Sequence, residues 1–495
     1  MSSAGAPPTV AKAFCLAPDG TFALKLAYAR CANEPQREDM TVCKPVNTLR
    51  LLAFRFASTV VLATVFLPAA FAQSTAAAPQ ASTMPSVVTV PPEAQPSDHF
   101  DPEAATNAYL AQIPATAKER SDAYFEGGYW LILWDFLYGA ALALLLLQMG
   151  WSGKMRDIAE RVTRFKPLQT FVYWIEYVLL TTVLAFPQTV YEDYFREHKY
   201  GLATQTFGPW MMDQFKSLLV GMVLGGIAMV VLFGVVRRLQ KSWWVWAAIV
   251  STVLLVFSVL IAPVFIFPIF NKVTRLDDPK ITQPILSMAR ANGIPVHDVF
   301  QIDASKQTTR MSANVSGFGN TLRITLNDNL LRRGSPEEIQ SVMGHEMGHY
   351  VLNHTYTGIM FFFLVIVFFF ALLQWFLKWT LQRWGDRWRI RGVGDVAILP
   401  LVFLFISIFG FVHTPFLNTF TRALEHQADM FGLNASRQPD GFAQAAIHLG
   451  EYRKMSPGPV EERIFYDHPS GRNRIHDAMV WKAENLRVLP PPAAR

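Results

Sequence analysis

Cysteine is nearly absent. The 495-residue chain holds three, Cys15, Cys31 and Cys43, all in its first tenth. The rest of the chain can therefore carry neither a disulfide framework nor a thiolate metal site, and any metal there must be held by histidine and carboxylate. Charge is scarce as well, with 17% of residues charged against 51% hydrophobic. That balance excludes an ordinary soluble protein and points to a membrane. The formal net charge of +6 could suggest a nucleic-acid partner. The Lys and Arg residues, however, sit mostly in short loops between apolar runs, where they read as topology signals, so no nucleic acid is expected.

Residues 1–46 show no strong periodicity and no apolar run long enough to span a bilayer. They read as a disordered or non-native extension, with Met40 as an alternative start. Residues 47–72 run through Arg50 and Arg55 into the apolar stretch from Phe56 to Ala70 and end in Ala70-Phe71-Ala72. Their length fits either a signal peptide cut after Ala72 or a first membrane helix. Residues 73–123 follow as a linker and amphipathic segment; Gln73 to Pro96, rich in Ala, Pro, Ser and Thr, is expected to be flexible.

Six runs have the length and apolarity to cross a bilayer, roughly 129–149, 168–188, 218–236, 243–265, 357–377 and 396–416. Lys154, Arg156, Arg161, Arg164 and Lys166 fill the loop after the first. Arg237, Arg238 and Lys241 follow the third, and Lys378, Arg383, Arg387, Arg389 and Arg391 follow the fifth. By the positive-inside rule these loops face the cytoplasm, which puts residues 189–217, 266–356 and the C-terminal tail together on the opposite side.

The stretch 266–356 is too long and polar for a connector. Pro279 to Asn292 carries apolar residues at Ile281, Ile285, Leu286 and Ala289 and stops at Gly293 before Pro295, as a helix with a glycine C-cap does. Val299 to Ile302, and the alternation of Leu322, Ile324 and Leu326, predict strands. Ser335-Pro336-Glu337-Glu338 is a capping box with proline at the first helical position, so a helix is predicted from there through Tyr350. Within it lies His345-Glu346-Met347-Gly348-His349. Four-residue spacing on a helix puts both imidazoles on one face, where they can reach a single zinc ion. Glu346 is offset around the helix, close enough to take a proton from an attacking water but not placed as a third ligand.

A catalytic zinc needs a third protein ligand, and with cysteine unavailable it must be a later His, Glu or Asp. Glu425, in Arg422-Ala423-Leu424-Glu425-His426-Gln427-Ala428-Asp429 just after the last apolar run, is the best choice. Asp429, one turn on, could hydrogen-bond a ligand histidine. The alternative is that this segment is only a solvated helix face. His426 competes as a ligand but points about 100° away from Glu425. His468 precedes Pro469 and is therefore extended, able to project into a site and stabilise an oxyanion; a surface or capping role is the alternative. The other histidines, His354, His413 and His448 among them, are given no role. The expected fold is a predominantly α-helical multi-pass membrane protein with a small inserted α+β zinc-metalloprotease domain. It divides into four membrane helices (124–265), the inserted domain (266–356), two membrane helices (357–416) and a C-terminal catalytic segment (417–495).

Further motifs stand in order along the chain. They are Glu197-His198-Lys199-Tyr200-Gly201 with Thr206, Asp213-Gln214-Phe215-Lys216, Pro268-Ile269-Phe270-Asn271-Lys272, Ser312-Ala313-Asn314, Gly344 to His349, Glu425 to Asp429, and His468-Pro469. In these motifs and their spacing the chain resembles type I CAAX prenyl proteases, membrane-embedded zinc metallopeptidases that clip prenylated C-terminal tails, over about residues 105–480. The resemblance implies a large chamber enclosed by membrane helices with zinc at its wall, and the roles given above to Glu425, Asp429 and His468. It also implies that the strand around Ser312, Ala313, Asn314 and Val315 pairs with substrate backbone. It implies a catalytic domain facing the cytosol, whereas the basic loops here put that domain outside.

The expected activity is that of a zinc metalloendopeptidase with one zinc ion per chain, acting on a peptide or protein substrate, prenylated or membrane-associated, within the lipid bilayer. Two substrate readings stand: removal of the C-terminal tripeptide from prenylated proteins, and quality control of envelope or membrane proteins. A reading of another class is a non-catalytic zinc-bound scaffold or transporter. Against it, a structural site has no use for Glu346 and usually has four protein ligands. The signal-like region favours a bacterial inner membrane over the endoplasmic reticulum.

Overall fold

A computed structural model describes residues 84–317 and 322–487. The extension 1–46, the signal-like or membrane segment 47–72 and the first part of the linker, 73–83, lie outside the described residues. The rest of the linker is not flexible. Met84, Val88 and Ala94 are buried, and the Val88 carbonyl accepts from Gln444 (2.7 Å) while that of Pro85 accepts from His448 (3.0 Å). Composition suggested flexibility because the apolar surface these residues bury against lies far along the chain, at Phe442, Ala446, Ile475 and Met479.

Helix α1 (Pro102–Leu110) is capped by the Asp101 carboxylate, which accepts from the Glu103 amide. The first predicted membrane run is the C-terminal part of a longer helix, α2 (Ala115–Gln148). After the short α3 (Trp151–Val162) come α4 (Lys166–Lys199), α5 (Phe207–Arg238) and α6 (Trp243–Phe270), each long and apolar enough to cross a membrane. Near its end α4 widens into a π-helical stretch, Val190–Arg196, just before the Glu197-His198-Lys199 motif.

Residues 266–356 carry the predicted helix and strands. Their elements are β1 (Val273–Arg275), α7 (Pro279–Ala291), β2 (Val299–Ile302), β3 (Ala313–Ser316), β4 (Arg323–Asn327) and α8 (Asp328–Arg333). The strands form one sheet in the order β1-β2-β4-β3, with β2 and β4 parallel and both outer pairs antiparallel. Strand β3 is thus an edge. Helix α9 (Pro336–Val351) starts on the predicted capping box, with Ser335 and Glu338 each bonding the other's backbone amide. Helices α10 (His354–Trp384) and α11 (Val396–Ser436) complete six candidate spans, and α12 (Pro439–Leu449), α13 (Pro459–Phe465) and α14 (Gly471–Asn485) close the chain. In the six spans 6–39% of the most apolar window is buried, which leaves outer faces for lipid.

The three basic loops meet at one end. Arg156 of α3 binds Asp395 (2.7 Å) and the Arg389 carbonyl (2.7 Å), and Arg237 at the end of α5 donates to the Gly394 carbonyl (3.0 Å). Helix α11 leaves that end at Val396 and reaches Glu425 some 29 residues later, about 44 Å along the axis. The last span and the third-ligand segment, divided at residue 416 by the sequence reading, are one unbroken helix that runs through Gly410 and Gly432. Pro415 lies within it.

Helices α9 and α11 cross almost backbone to backbone. A Cβ on Gly344 would stand 2.9 Å from the Gly432 carbonyl oxygen, one on Gly432 2.7 Å from the His345 amide nitrogen, and one on Gly348 3.1 Å from the Ala428 Cα. Any side chain at Gly432 must push the helices apart. Gly410, in the same helix, has open space around it. Thermal unfolding in detergent should therefore show Gly432→Ala destabilised by about 1–3 kcal/mol, with Gly410→Ala neutral or slightly stabilised. Equal stability of the two variants would contradict this crossing.

Candidate metal centre and active site

The crossing brings His345 and His349 of α9 against Glu425 and Asp429 of α11. The Nε2 atoms of His345 and His349 lie 3.1 Å apart. Glu425 Oε2 is 3.2 Å from His345 Nε2, and Oε1 is 3.6 Å from His349 Nε2. Two atoms bound about 2.1 Å from a tetrahedral ion stand about 3.4 Å apart, so these residues fit a single metal ion. Their chemistry asks for one. His345 gives its Nδ1 hydrogen to Asp429 (2.7 Å), which turns its Nε2 lone pair toward that of His349. Glu425 Oε2 is buried and close to nitrogens of both His345 and His468, yet neither points an N–H at it. Facing lone pairs beside a carboxylate are satisfied by a cation.

Asp429 is buried and bound from both sides. It accepts from His345 and, through both oxygens, from the guanidinium of Arg474 on α14 (2.6 and 2.9 Å). Burial opposes charge on His345, but the Asp429 and Glu425 carboxylates raise its imidazole to about 9, so protons and metal compete for the same Nε2. His349 is held in turn by His354, whose Nδ1 lies 3.0 Å from His349 Nδ1 and whose Nε2 donates to Gln427 (3.3 Å). His354 starts α10 after a left-handed turn at Asn353 (φ 58°). The sequence reading gave His354 no role and did not consider Arg474. The buried Asp429 carboxylate asked for a cation, but spacing gives no pointer to one 45 residues away.

Glu346 is partly buried, and burial raises its carboxyl above the ordinary value, which suits a base working near neutral pH. His345, Glu346 and His468 line one cavity of about 210 Å³ with Met311, Ser312 and Ala313. Asn314 and Val315 continue along β3 and do not line it. His468 lies between two carboxylates, Asp467 2.9 Å from its Nδ1 and Glu425 3.1 Å from its Nε2. His426 faces away, half exposed beside Asp477, so it does not join the cluster. The solvated-face alternative fails for Glu425 and Asp429, which are both buried.

Arg474→Gln leaves the Asp429 carboxylate buried without its cation. A loss of about 3–5 kcal/mol is expected in thermal unfolding, with much of it recovered when Asp429→Asn is added. No recovery in the double variant would mean that Arg474 acts independently of Asp429.

Residues 275–482 match the model of Peptidase family M48, and residues 103–272 match that of the CAAX prenyl protease N-terminal region, five membrane helices. The chain is 31% identical over 340 residues to the uncharacterized metalloprotease YhfN of Bacillus subtilis, an alignment covering 68% of this chain and 79% of that protein. To CAAX prenyl protease 1 of Saccharomyces cerevisiae it is 31% identical over 311 residues, covering 60% and 69% respectively. The crystal structure of S. mikatae Ste24p has a similar fold, with a TM-score of 0.63 at 21% identity over 88% of this chain and 100% of that one. A metal-ligating constellation with a base beside it, on membrane helices of this arrangement, agrees with these likenesses: the chain belongs to peptidase family M48 and is a membrane-integral metalloprotease related to CAAX prenyl protease 1.

Proposed function

We propose that the protein is a zinc endopeptidase in which His345, His349 and Glu425 hold one zinc ion per chain. The observation that carries this reading is the near-tetrahedral spacing of those three side chains beside a partly buried Glu346. When bound, zinc supplies Lewis-acid chemistry at the scissile carbonyl. Glu346 takes the proton of the attacking water and passes it to the leaving amine. Asp429 fixes the tautomer and orientation of His345 and is itself fixed by Arg474, while His354 does the same for His349. His468 donates to the carbonyl oxygen as it gains negative charge. The edge of β3, from Ser312 through Ala313, Asn314 and Val315, takes an extended substrate segment as an added strand. Membership in a peptidase family sets aside the scaffold and transporter reading.

The substrate is the finer question. Relatives named CAAX prenyl protease 1 suggest removal of the C-terminal tripeptide from prenylated proteins. The meeting of the basic loops at the end remote from the metal centre favours the other reading, an envelope or membrane-protein quality-control protease whose site faces away from the cytoplasm of a bacterial cell. Polar groups inside the spans are compatible with a water-filled chamber. Glu192, Asp193 and Asp213 of the spans, with Arg310 of the inserted domain, line a further cavity of about 490 Å³.

Quenched peptides with and without a C-terminal farnesyl-cysteine separate these readings. Wild type in detergent should cleave, and Glu346→Gln should lose about 10²- to 10⁴-fold in kcat while keeping its zinc. Preference for the farnesylated peptides supports prenyl-protein processing, and indifference supports quality control. Wild type and variant equally inert with zinc bound would contradict the mechanism. For orientation, alkaline phosphatase fused after Arg495 should be active in cells, and a fluorescent protein fused there should be dark after export; the reverse pattern places the site in the cytosol.

A further inference from the structure

The end of the bundle remote from the metal centre holds a cavity of about 610 Å³, larger than the one at the active site. Arg156, Lys166, Arg237 and Arg391 line it against two carboxylates, Glu160 and Asp395. Those carboxylates are already engaged, Asp395 with Arg156 and Glu160 with Arg391, both at 2.7 Å. Asp157 behind them is shared by Arg156 and Arg389. Five cations thus meet three carboxylates, and two positive charges are left over.

Arg237 carries one of them. Its guanidinium donates to neutral acceptors, the Gly394 carbonyl (3.0 Å), Thr170 Oγ1 (2.9 Å) and the Lys166 carbonyl (3.4 Å). Among the described residues it makes no ion pair. Lys166 carries the other, reaching Glu160 only at 3.6 Å and lying mostly in solvent. Gly392, Val393 and Gly394 of the lining loop donate their amides to no protein acceptor among the described residues. Free N–H donors and a half-buried guanidinium without a carboxylate suit an oxyanion, above all a phosphate, which takes a guanidinium bidentately.

The cavity lies where lipid headgroups lie. Lys166 opens α4, Arg237 comes one residue before the end of α5, and Trp243, which also lines the cavity, opens α6. Apolar side chains are exposed beside it, Val162, Phe165, Leu168 and Trp246. A soluble anion has no use for such flanks, whereas acyl chains do.

We propose that this cavity binds the phosphodiester of an anionic glycerophospholipid, with Arg237 and Lys166 on the phosphate and the acyl chains on the apolar surface around Phe165 and Leu168. The test is native mass spectrometry of the detergent-purified protein incubated with phosphatidylglycerol or phosphatidylcholine. Wild type should retain phosphatidylglycerol selectively. Arg237→Gln should weaken that retention about tenfold or more, the loss of one charge-assisted contact. Lys166→Gln, a solvated side chain whose removal leaves the fold intact, should weaken it about fivefold. Unchanged peptidase activity certifies folding of both variants, and Lys166→Gln carries the test if Arg237→Gln misfolds. Equal retention of the two lipids overturns the proposal, as does wild-type retention by the variants. Displacement of phosphatidylglycerol by excess inorganic phosphate also overturns it, in favour of a soluble anion.

Discussion

Two helices must touch along their backbones for the proposed metal centre to form. Gly344 and Gly348 of α9 face Ala428 and Gly432 of α11, and the contact is so close that a single methyl group would collide. Both pairs are four residues apart and so line up along one face of each helix. The ligands flank this contact: His345 and His349 each follow one of the α9 glycines, and Glu425 and Asp429 bracket Ala428. Helix α11 is also a candidate membrane span, so Glu425, the proposed third ligand, stands where the apolar part of the chain meets the inserted domain. A protease built this way has its chemistry tied to the membrane by a covalently continuous helix, with no flexible joint.

Close approach concentrates charge in little space, and the surrounding side chains resolve it in layers. Asp429 and His354 contact the outward nitrogens of His345 and His349, the two proposed ligand histidines, and Arg474 and Gln427 hold those supports in place. The buried Asp429 carboxylate meets donors on both sides, as the low local dielectric demands. Further out, Glu338 caps α9 while its other oxygen holds the buried His448 (2.7 Å), which reaches the Pro85 carbonyl of the N-terminal strap. The strap, the capping box and the catalytic helix are thereby one connected unit.

Much of this was legible in the sequence, for reasons local to each element. The β2 strand, the α9 cap and the α7 helix are written in period, capping residues and the glycine stop, which act within a few residues. The closeness of His345 and His349 was legible because four-residue spacing on a helix is itself a geometric statement, and Glu425, the best choice among the later His, Glu and Asp, does lie beside them. What escaped depends on partners far along the chain. The span limits ran short because amphipathic turns extend α2 and α11 beyond their apolar centres. Val88 and Ala94 were taken as flexible because proline-rich composition conceals the surface that covers them. His354 and Arg474 were passed over because a supporting side chain is defined by what it touches, and no spacing rule connects it to its partner.

The central claim is that α9 and α11 together supply a three-residue metal site of two imidazoles and one carboxylate. X-ray absorption at the zinc edge of the purified, zinc-loaded protein tests it most directly. The account predicts one zinc per chain in a four-coordinate shell of nitrogen and oxygen, with two imidazole scattering patterns that fall to one in His349→Ala. A shell containing sulfur, a six-coordinate oxygen environment, or a spectrum unchanged by that substitution would contradict it.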